Sequence, residues 1–396
     1  MIEFFLLLKN RIFTKVLNRL VEKKLWIVMI VTKPTLLLDP DKVKHNIQWA
    51  VNKAKKHDVV FRPHFKTHQS QKISQWFQEC GVDKITVSSL EMAEYFFSWG
   101  WKDILVAFPV NIHEINTINR LADKIKLSLI VENLESVSYL NKHLINNIDV
   151  YIKVDAGHRR TGILWENKDE IERLAEFIDH AKSLSLIGIL THAGHTYKTN
   201  LPGEIVSIHE EVRERLNSIK WNLSEINDNL IVSVGDTPGF TISDDFTGID
   251  ELRPGNFVFY DLQQYKLGVC QLEDIAVCMT CPIVSKHEDR NEIVIYGGAV
   301  HFSKDHIMEA DRPVFGYGVH LSDENWIAEN SNMILTRLSQ EHGIISTTPE
   351  VFGQLKVGDF IGVLPVHSCL TANLMQGYFD FKGNVYDHMS GKGVAR

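Results

Sequence analysis

From Thr35 to Arg253 the chain alternates short apolar runs with amphipathic segments, and this alternation restricts the fold more than any other feature. The runs are Val59-Val60-Phe61, Ile85-Thr86-Val87, Ile104-Leu105-Val106, Leu127–Val131, Val150–Val154, Leu186–Leu190 and Leu230–Val234. Helical periodicity fills the stretches near 70–79, 90–99, 111–122, 133–143, 166–183 and 203–219. Strands separated by helices cannot form hairpins; they pair in parallel through helical crossovers. Continuous apolarity, rather than alternation, means that both faces of the sheet are covered. A closed (β/α)8 barrel of the TIM type fits the count and the length. The first run of the series, and the eighth in the count, is Thr35–Leu38, followed by a helical period through Val43, Ile47, Ala50 and Val51.

After Arg253 the pattern changes to short runs between turns, such as Ile275-Ala276-Val277, Ile293–Tyr296 and Phe360–Leu364. That texture predicts a mostly β C-terminal domain. The N-terminal stretch differs again. Phe5, Leu8, Ile12, Val16 and Leu20 recur at helical spacing, with Lys9, Arg11, Lys15, Arg19, Lys23 and Lys24 among them. This is a basic amphipathic helix, either a membrane-surface or transit segment or an appended extension, with Met29 as an alternative start. The expected layout is an extension over 1–31, a barrel over 32–262 and a β-rich domain over 263–396.

Composition narrows the function. Of 396 residues 44% are hydrophobic and 23% charged, the usage of a globular chain. The formal charge of −8 gives no electrostatic footprint for nucleic acid. Five cysteines at irregular spacing do not make a disulfide framework, which points to a reducing, cytoplasmic setting. No apolar run reaches the roughly 18–20 residues of a membrane span, so no stable insertion is expected.

In a (β/α)8 barrel the chemistry gathers just past the C-terminal strand ends. Here those places read Arg62-Pro63-His64-Phe65-Lys66-Thr67-His68, Asp155-Ala156-Gly157-His158-Arg159-Arg160, Thr191-His192-Ala193-Gly194-His195-Thr196-Tyr197 and Gly235-Asp236-Thr237-Pro238-Gly239. Four polar, glycine-containing segments in register predict one site. Lys66, between two histidines, suits a Schiff-base lysine, although a solvated surface lysine is the commoner occupant of such a place. The turn at Gly235 suits a phosphate held by backbone N–H groups, or simply a tight turn. Together they suggest a phosphate-bearing aldehyde cofactor.

In the C-terminal domain His367 and Cys369 lie two apart in Pro365-Val366-His367-Ser368-Cys369, read as an extended segment with both side chains on one face. Imidazole and thiolate are good Zn²⁺ ligands, but an isolated pair of this kind is more often a satisfied histidine beside a buried cysteine. Cys278 and Cys281 have no second pair nearby and read as core residues of a strand. Glu341-His342-Gly343 is a candidate for a metal ligand or for a residue supporting one, which spacing alone does not decide.

Together these segments resemble the fold-type III family of pyridoxal-phosphate enzymes, and within it the D-threonine aldolase and D-serine dehydratase group. The resemblance runs from about Pro34 to the end. It implies that Lys66 is the Schiff-base residue and that Arg160, in Asp155-Ala156-Gly157-His158-Arg159-Arg160-Thr161-Gly162, lies against the cofactor ring. It places His192 and Tyr197 in the family's H-A-G-H-x-Y loop, Gly235, Asp236 and Thr237 in the phosphate loop, and Arg253, Gly255 and Asn256 in the R-P-G strand. It also turns His367 and Cys369 into expected ligands of a divalent metal, Zn²⁺ by ligand type. Asp236 departs from the serine common at its place, and negative charge there is unfavourable beside a phosphate unless the side chain turns away.

The resemblance implies a metal-assisted lyase acting on a small β-hydroxy-D-amino acid. Removal of the α-proton by Lys66 with loss of the hydroxyl makes a dehydratase; removal of the hydroxyl proton breaks the α–β bond and makes an aldolase. A cysteine at position 369, where aldolases of the group carry Asp, favours the dehydratase. A fold-type III racemase and a non-catalytic pyridoxal-phosphate-binding protein are the alternatives. A homodimer is expected by resemblance alone.

Overall fold

A computed structural model describes residues 31–199, 201–327 and 332–389. The amphipathic extension predicted over 1–31 lies outside these residues save for residue 31. The described chain divides into two compact units, 41–274 with 387–389 and 31–40 with 275–386.

The larger unit is built on eight strands: β1 (Val60–Phe61), β2 (Lys84–Val87), β3 (Asp103–Pro109), β4 (Lys126–Val131), β5 (Ile148–Asp155), β6 (Leu184–Thr191), β7 (Ile231–Val234) and β8 (Glu251–Leu252). They are joined in the order β1-β8-β7-β6-β5-β4-β3-β2, every pair parallel. A parallel bridge between His64 and Thr86 links the chain just past β1 to β2 and completes the ring. Alternating with the strands are α1 (Pro40–Lys56), α2 (Gln71–Glu79), α3 (Leu90–Ser98), α4 (Ile115–Ala122), α5 (Leu134–His143), α6 (Lys168–Asp179), α7 (Pro202–Asn222) and α8 (Thr237–Ile242). This is the (β/α)8 architecture that the alternation predicts.

The helix starts show why the chain turns where it does. Ser70, Ser89 and Asn133 each accept the amide of the residue three further on, at 3.2, 3.1 and 2.8 Å, and so cap α2, α3 and α5. Leu105, Ile130, Tyr151 and Leu190, one from each of β3 to β6, form a buried apolar cluster. Beside that core runs a buried polar chain. The Arg62 guanidinium donates to Glu251 at 2.5 Å and to Asp103 at 2.6 Å, and Ser233 donates to Glu251 at 2.6 Å. Arg253 continues the chain by donating to the Ser233 hydroxyl and, at 2.7 Å, to the Thr191 carbonyl.

The smaller unit holds a ten-stranded sheet centred on Val277–His287, which pairs antiparallel with Thr35–Leu38, Glu292–Tyr296 and Phe360–Pro365. Thr35–Leu38, expected as the first strand of the barrel, therefore belongs to this sheet instead. A run of four apolar residues buried on both faces looks the same in either sheet, so the sequence does not reveal the partner. Cys278 and Cys281 are fully buried in the central strand and joined in no disulfide. No helix among the described residues is long and apolar enough to cross a membrane.

Candidate active site

Every polar segment singled out in the barrel half of the sequence lies just past a strand end, on one rim. After β1, Phe65 is buried among Phe77, Phe96 and Trp101, with ring centroids 4.8, 4.9 and 5.1 Å away. Lys66, next to it, is exposed, and its amide donates to His64 Nδ1 at 3.3 Å. Burial, with the Lys66 and Arg253 cations close by, pushes His64 far below the ordinary histidine range. His192, after β6, is held neutral in the same way by burial and by Lys66, Lys153 and Arg160, and its Nδ1 donates to the Gly235 carbonyl. Neutral imidazoles from two strand ends thus lie within electrostatic reach of Lys66.

The loop after β7 is tied to its neighbours. The Thr237 amide donates to the Tyr197 hydroxyl at 3.1 Å, and the Gly255 amide reaches the Thr237 hydroxyl at 3.4 Å. Asn256 donates to Asp261 at 2.7 Å and begins a short 3-10 turn after β8. Asp236 turns into its own helix: its carboxylate accepts the Gly239 amide at 2.5 Å and the Thr196 hydroxyl at 3.1 Å. Burial raises its pKa to about 6 against these donors. The departure noted in the sequence is thereby explained, since the side chain is spent capping α8. Two glycines keep backbone open here. A Cβ on Gly235 would come within 2.8 Å of Arg253 Nη2, and one on Gly255 within 3.0 Å of the His64 carbonyl.

After β5, Asp155 Oδ1 accepts the amides of Gly157 and Arg159, each at 2.9 Å, and shapes the loop that presents exposed Arg160. Gly157 sits at φ +129°, in the region that favours glycine. His158 and His195 stack with ring centroids 6.3 Å apart. Both nitrogens of His195 and Nδ1 of His158 are buried with no hydrogen-bond partner. Lys153, on β5, was not singled out by sequence reasoning. It is 5% exposed, and burial with Arg253 and Arg160 lowers its pKa to about 7 against the pull of Asp155 and Glu132. Its inward position on a strand was the available signal.

These features fit pyridoxal phosphate: an exposed amine in the turn past a strand end, neutral imidazoles near it, glycine-walled turns and buried nitrogens without partners. Arg253, expected to bind the cofactor, lies beneath the Gly235 turn and donates to the Ser233 hydroxyl and the Thr191 carbonyl.

His367 and Cys369 lie in the smaller unit. The strand ends at Pro365, His367 is an N-cap with φ −133°, and Cys369 falls in the first turn of the helix Ser368–Met375. The extended reading of this segment is corrected: Leu370-Thr371-Ala372-Asn373-Leu374-Met375 supplies enough good helix formers to start a helix at once. His367 Nδ1 pairs with Asp305 Oδ2 at 2.7 Å, an orienting carboxylate that the sequence did not identify. That contact puts the ring proton on Nδ1 and the lone pair on Nε2, the arrangement a metal-ligating histidine needs. Among the described residues no group of three or more His, Cys, Asp or Glu converges as a metal cage. His342 is an exposed strand residue, and Glu341 lies 4.0 Å from His301.

Residues 38–263 match the family described as alanine racemase, N-terminal domain, and residues 276–380 match a serine dehydratase domain. The chain is 30% identical to a D-serine dehydratase of Dictyostelium discoideum over 87% of this chain and 92% of that protein. It is 22% identical to a D-threonine aldolase of Arthrobacter sp., covering 92% and 94%. The solved D-threo-3-hydroxyaspartate dehydratase from Delftia sp. HT23 superposes with a TM-score of 0.83 at 24% identity, covering 91% of this chain and 98% of that one. That dehydratase has also been solved with a cysteine replaced by alanine, in a metal-free form, and with the histidine two positions earlier replaced by alanine.

Proposed function

Since the chain belongs to the alanine racemase N-terminal domain family, here followed by a serine dehydratase domain, we propose that it is a pyridoxal-phosphate-dependent dehydratase of β-hydroxy-D-amino acids. The observation that carries this reading is Lys66, exposed on the rim just past β1, with neutral His64 and His192 within its electrostatic reach. The relatives that are named D-serine and D-threo-3-hydroxyaspartate dehydratases support the choice of substrate class.

Lys66 would hold the cofactor aldehyde, Arg160 would lie against the ring, and the turns at Gly235 and Gly255, with Tyr197, Thr237 and Asn256, would receive the phosphate. Bound there, the cofactor supplies an electron sink for the pair left at the α-carbon. Lys66, standing at the same place, would take the α-proton of the substrate. Neutral His64 and His192 leave the rim without two further cations that would compete for anionic groups. Asp236, capping α8, keeps its charge off the phosphate. His367 and Cys369 would hold a divalent metal, Zn²⁺ by ligand type, which supplies Lewis acidity toward the β-hydroxyl. The α C–H and β C–O bonds break, water leaves, and the released enamine hydrolyses to a 2-oxo acid and ammonia. A homodimer is part of the same reading.

The test is product analysis by proton NMR, with pyridoxal phosphate, Zn²⁺ and D-serine, D-threonine or D-threo-3-hydroxyaspartate. From D-threonine we expect 2-oxobutanoate and ammonia. Glycine with acetaldehyde would replace dehydratase by aldolase. L-allo-threonine would replace lyase by racemase.

The metal makes a separate prediction. Cys369→Ala and His367→Ala are expected to lower bound metal to well under one per chain and to slow product formation by at least about 100-fold, the upper range for losing support at a metal site. The absorption band of lysine-bound cofactor should be unchanged. Full activity in the metal-free variants would remove the metal from the mechanism.

A further inference from the structure

The segment that carries Lys66 is held from two sides, and only one of them belongs to the barrel core. On one side Phe65 and His68 pack into the aromatic cluster, with His68 stacked 5.6 Å from Phe77. On the other side stand residues 387–389, more than 300 positions later in the sequence yet part of the same compact unit. Asp387 Oδ1 accepts the Ser70 hydroxyl at 2.9 Å and the Lys72 amide at 3.1 Å. Its Oδ2 accepts the Gln71 amide at 2.8 Å and the hydroxyl of Tyr95, which lies on α3. The Met389 amide donates to the Gln69 carbonyl at 2.6 Å.

Gln69 is the sharpest point of this hook. Its φ is +44°, a left-handed conformation that costs a non-glycine residue energy and persists only where the surroundings impose it. The imposing contacts are all present. The Gln69 amide donates to the Phe65 carbonyl at 3.0 Å, its side chain donates to the Lys66 carbonyl at 3.1 Å, and its own carbonyl takes the Met389 amide. A carboxylate against the first amides of α2 also has the favourable sign for a helix N-terminus. Four donors on one carboxylate outweigh its partial burial and hold Asp387 below the usual carboxylate range.

We infer that Asp387 is a positioning residue for Lys66: with Met389 it clamps the turn Gln69–Ser70 and so fixes where the lysine stands on the rim. This rests on the reading of Lys66 as the cofactor lysine. Asp387 itself touches neither substrate nor cofactor on that reading. Its effect passes through three residues of backbone.

The experiment compares the full-length protein with Asp387→Ala, Asp387→Asn and Tyr95→Phe by amide hydrogen exchange and by pyridoxal-phosphate titration. For Asp387→Ala we expect amides 66–72 to exchange roughly tenfold faster or more, the scale of a lost helix cap, while β5 and β6 are unchanged. The lysine-bound absorption band should saturate at roughly tenfold higher pyridoxal phosphate, with kcat lowered more than KM is raised. Asp387→Asn keeps an acceptor and should fall between. Tyr95→Phe removes one donor and serves if Asp387→Ala does not fold; it should move the same amides in the same direction. Wild-type exchange and titration in Asp387→Ala and Tyr95→Phe would overturn the inference. If the wild-type protein shows no lysine-bound band at all, the cofactor reading fails, and the exchange comparison still decides whether Asp387 clamps the turn.

Discussion

Lys66→Ala is expected to abolish the lysine-bound cofactor band and to slow dehydration by roughly 10²–10⁴-fold, the contribution of a positioned proton-transfer group. One substitution removes both the covalent anchor and the α-proton base, so added pyridoxal phosphate should not restore the rate. A small primary amine in the buffer should restore part of it by taking over proton transfer. Stability should scarcely change, because the Lys66 side chain is exposed and only its backbone is engaged. The competing amine on this side of the barrel is Lys153, buried on β5 and lowered to about 7 by burial and by Arg253 and Arg160. Borohydride reduction of the loaded protein, followed by peptide mass analysis, separates the two. Labelled Lys66 is the expected result. Label on Lys153, or a Lys66→Ala protein that keeps more than about a tenth of its rate, would move the chemistry to the other lysine.

The rim was legible because barrel strands are apolar and end abruptly: His, Lys, Gly and Thr directly after such runs have no other place to go. That logic located Lys66, His192, Tyr197 and Thr237 at once. It failed in three places, each for a physical reason. Thr35–Leu38 carries no mark of which sheet it joins, because a strand buried on both faces has no periodicity to distinguish partners. His367 and Cys369 were read as extended, because the two-residue spacing was judged without the helix formers that follow. Asp305 and Asp387 could not be paired with their partners, since contacts across such sequence separations leave no local pattern. Arg62 illustrates the limit from within the legible part. In the sequence it opens the cationic segment that ends at His68; in the fold it is 4% exposed and turned away from that role.

Arg62→Met is therefore expected to damage stability rather than chemistry. The guanidinium stands between Glu251 and Asp103, at 2.5 and 2.6 Å. Burial disfavours its charge, but the two carboxylates outweigh this and hold it more firmly protonated than a free arginine. Methionine fills a similar volume and leaves Glu251, 2% exposed, accepting from Ser233 at 2.6 Å without the cation beside it. Removing one member of a buried ion pair typically costs about 3–5 kcal/mol, since the other charge stays buried without compensation. In a unit of this size that corresponds to a fall of roughly 10 °C in Tm. Calorimetry on the full chain reads it directly. Arg62→Met with Glu251→Gln should recover part of the loss, because the stranded charge is then gone, and the double-mutant cycle measures how much belongs to the pair. A single substitution costing under about 1 kcal/mol would mean that Glu251 finds water or is protonated when Arg62 leaves. The chain from Arg62 through Glu251 and Ser233 to Arg253 would then not act as one buried network.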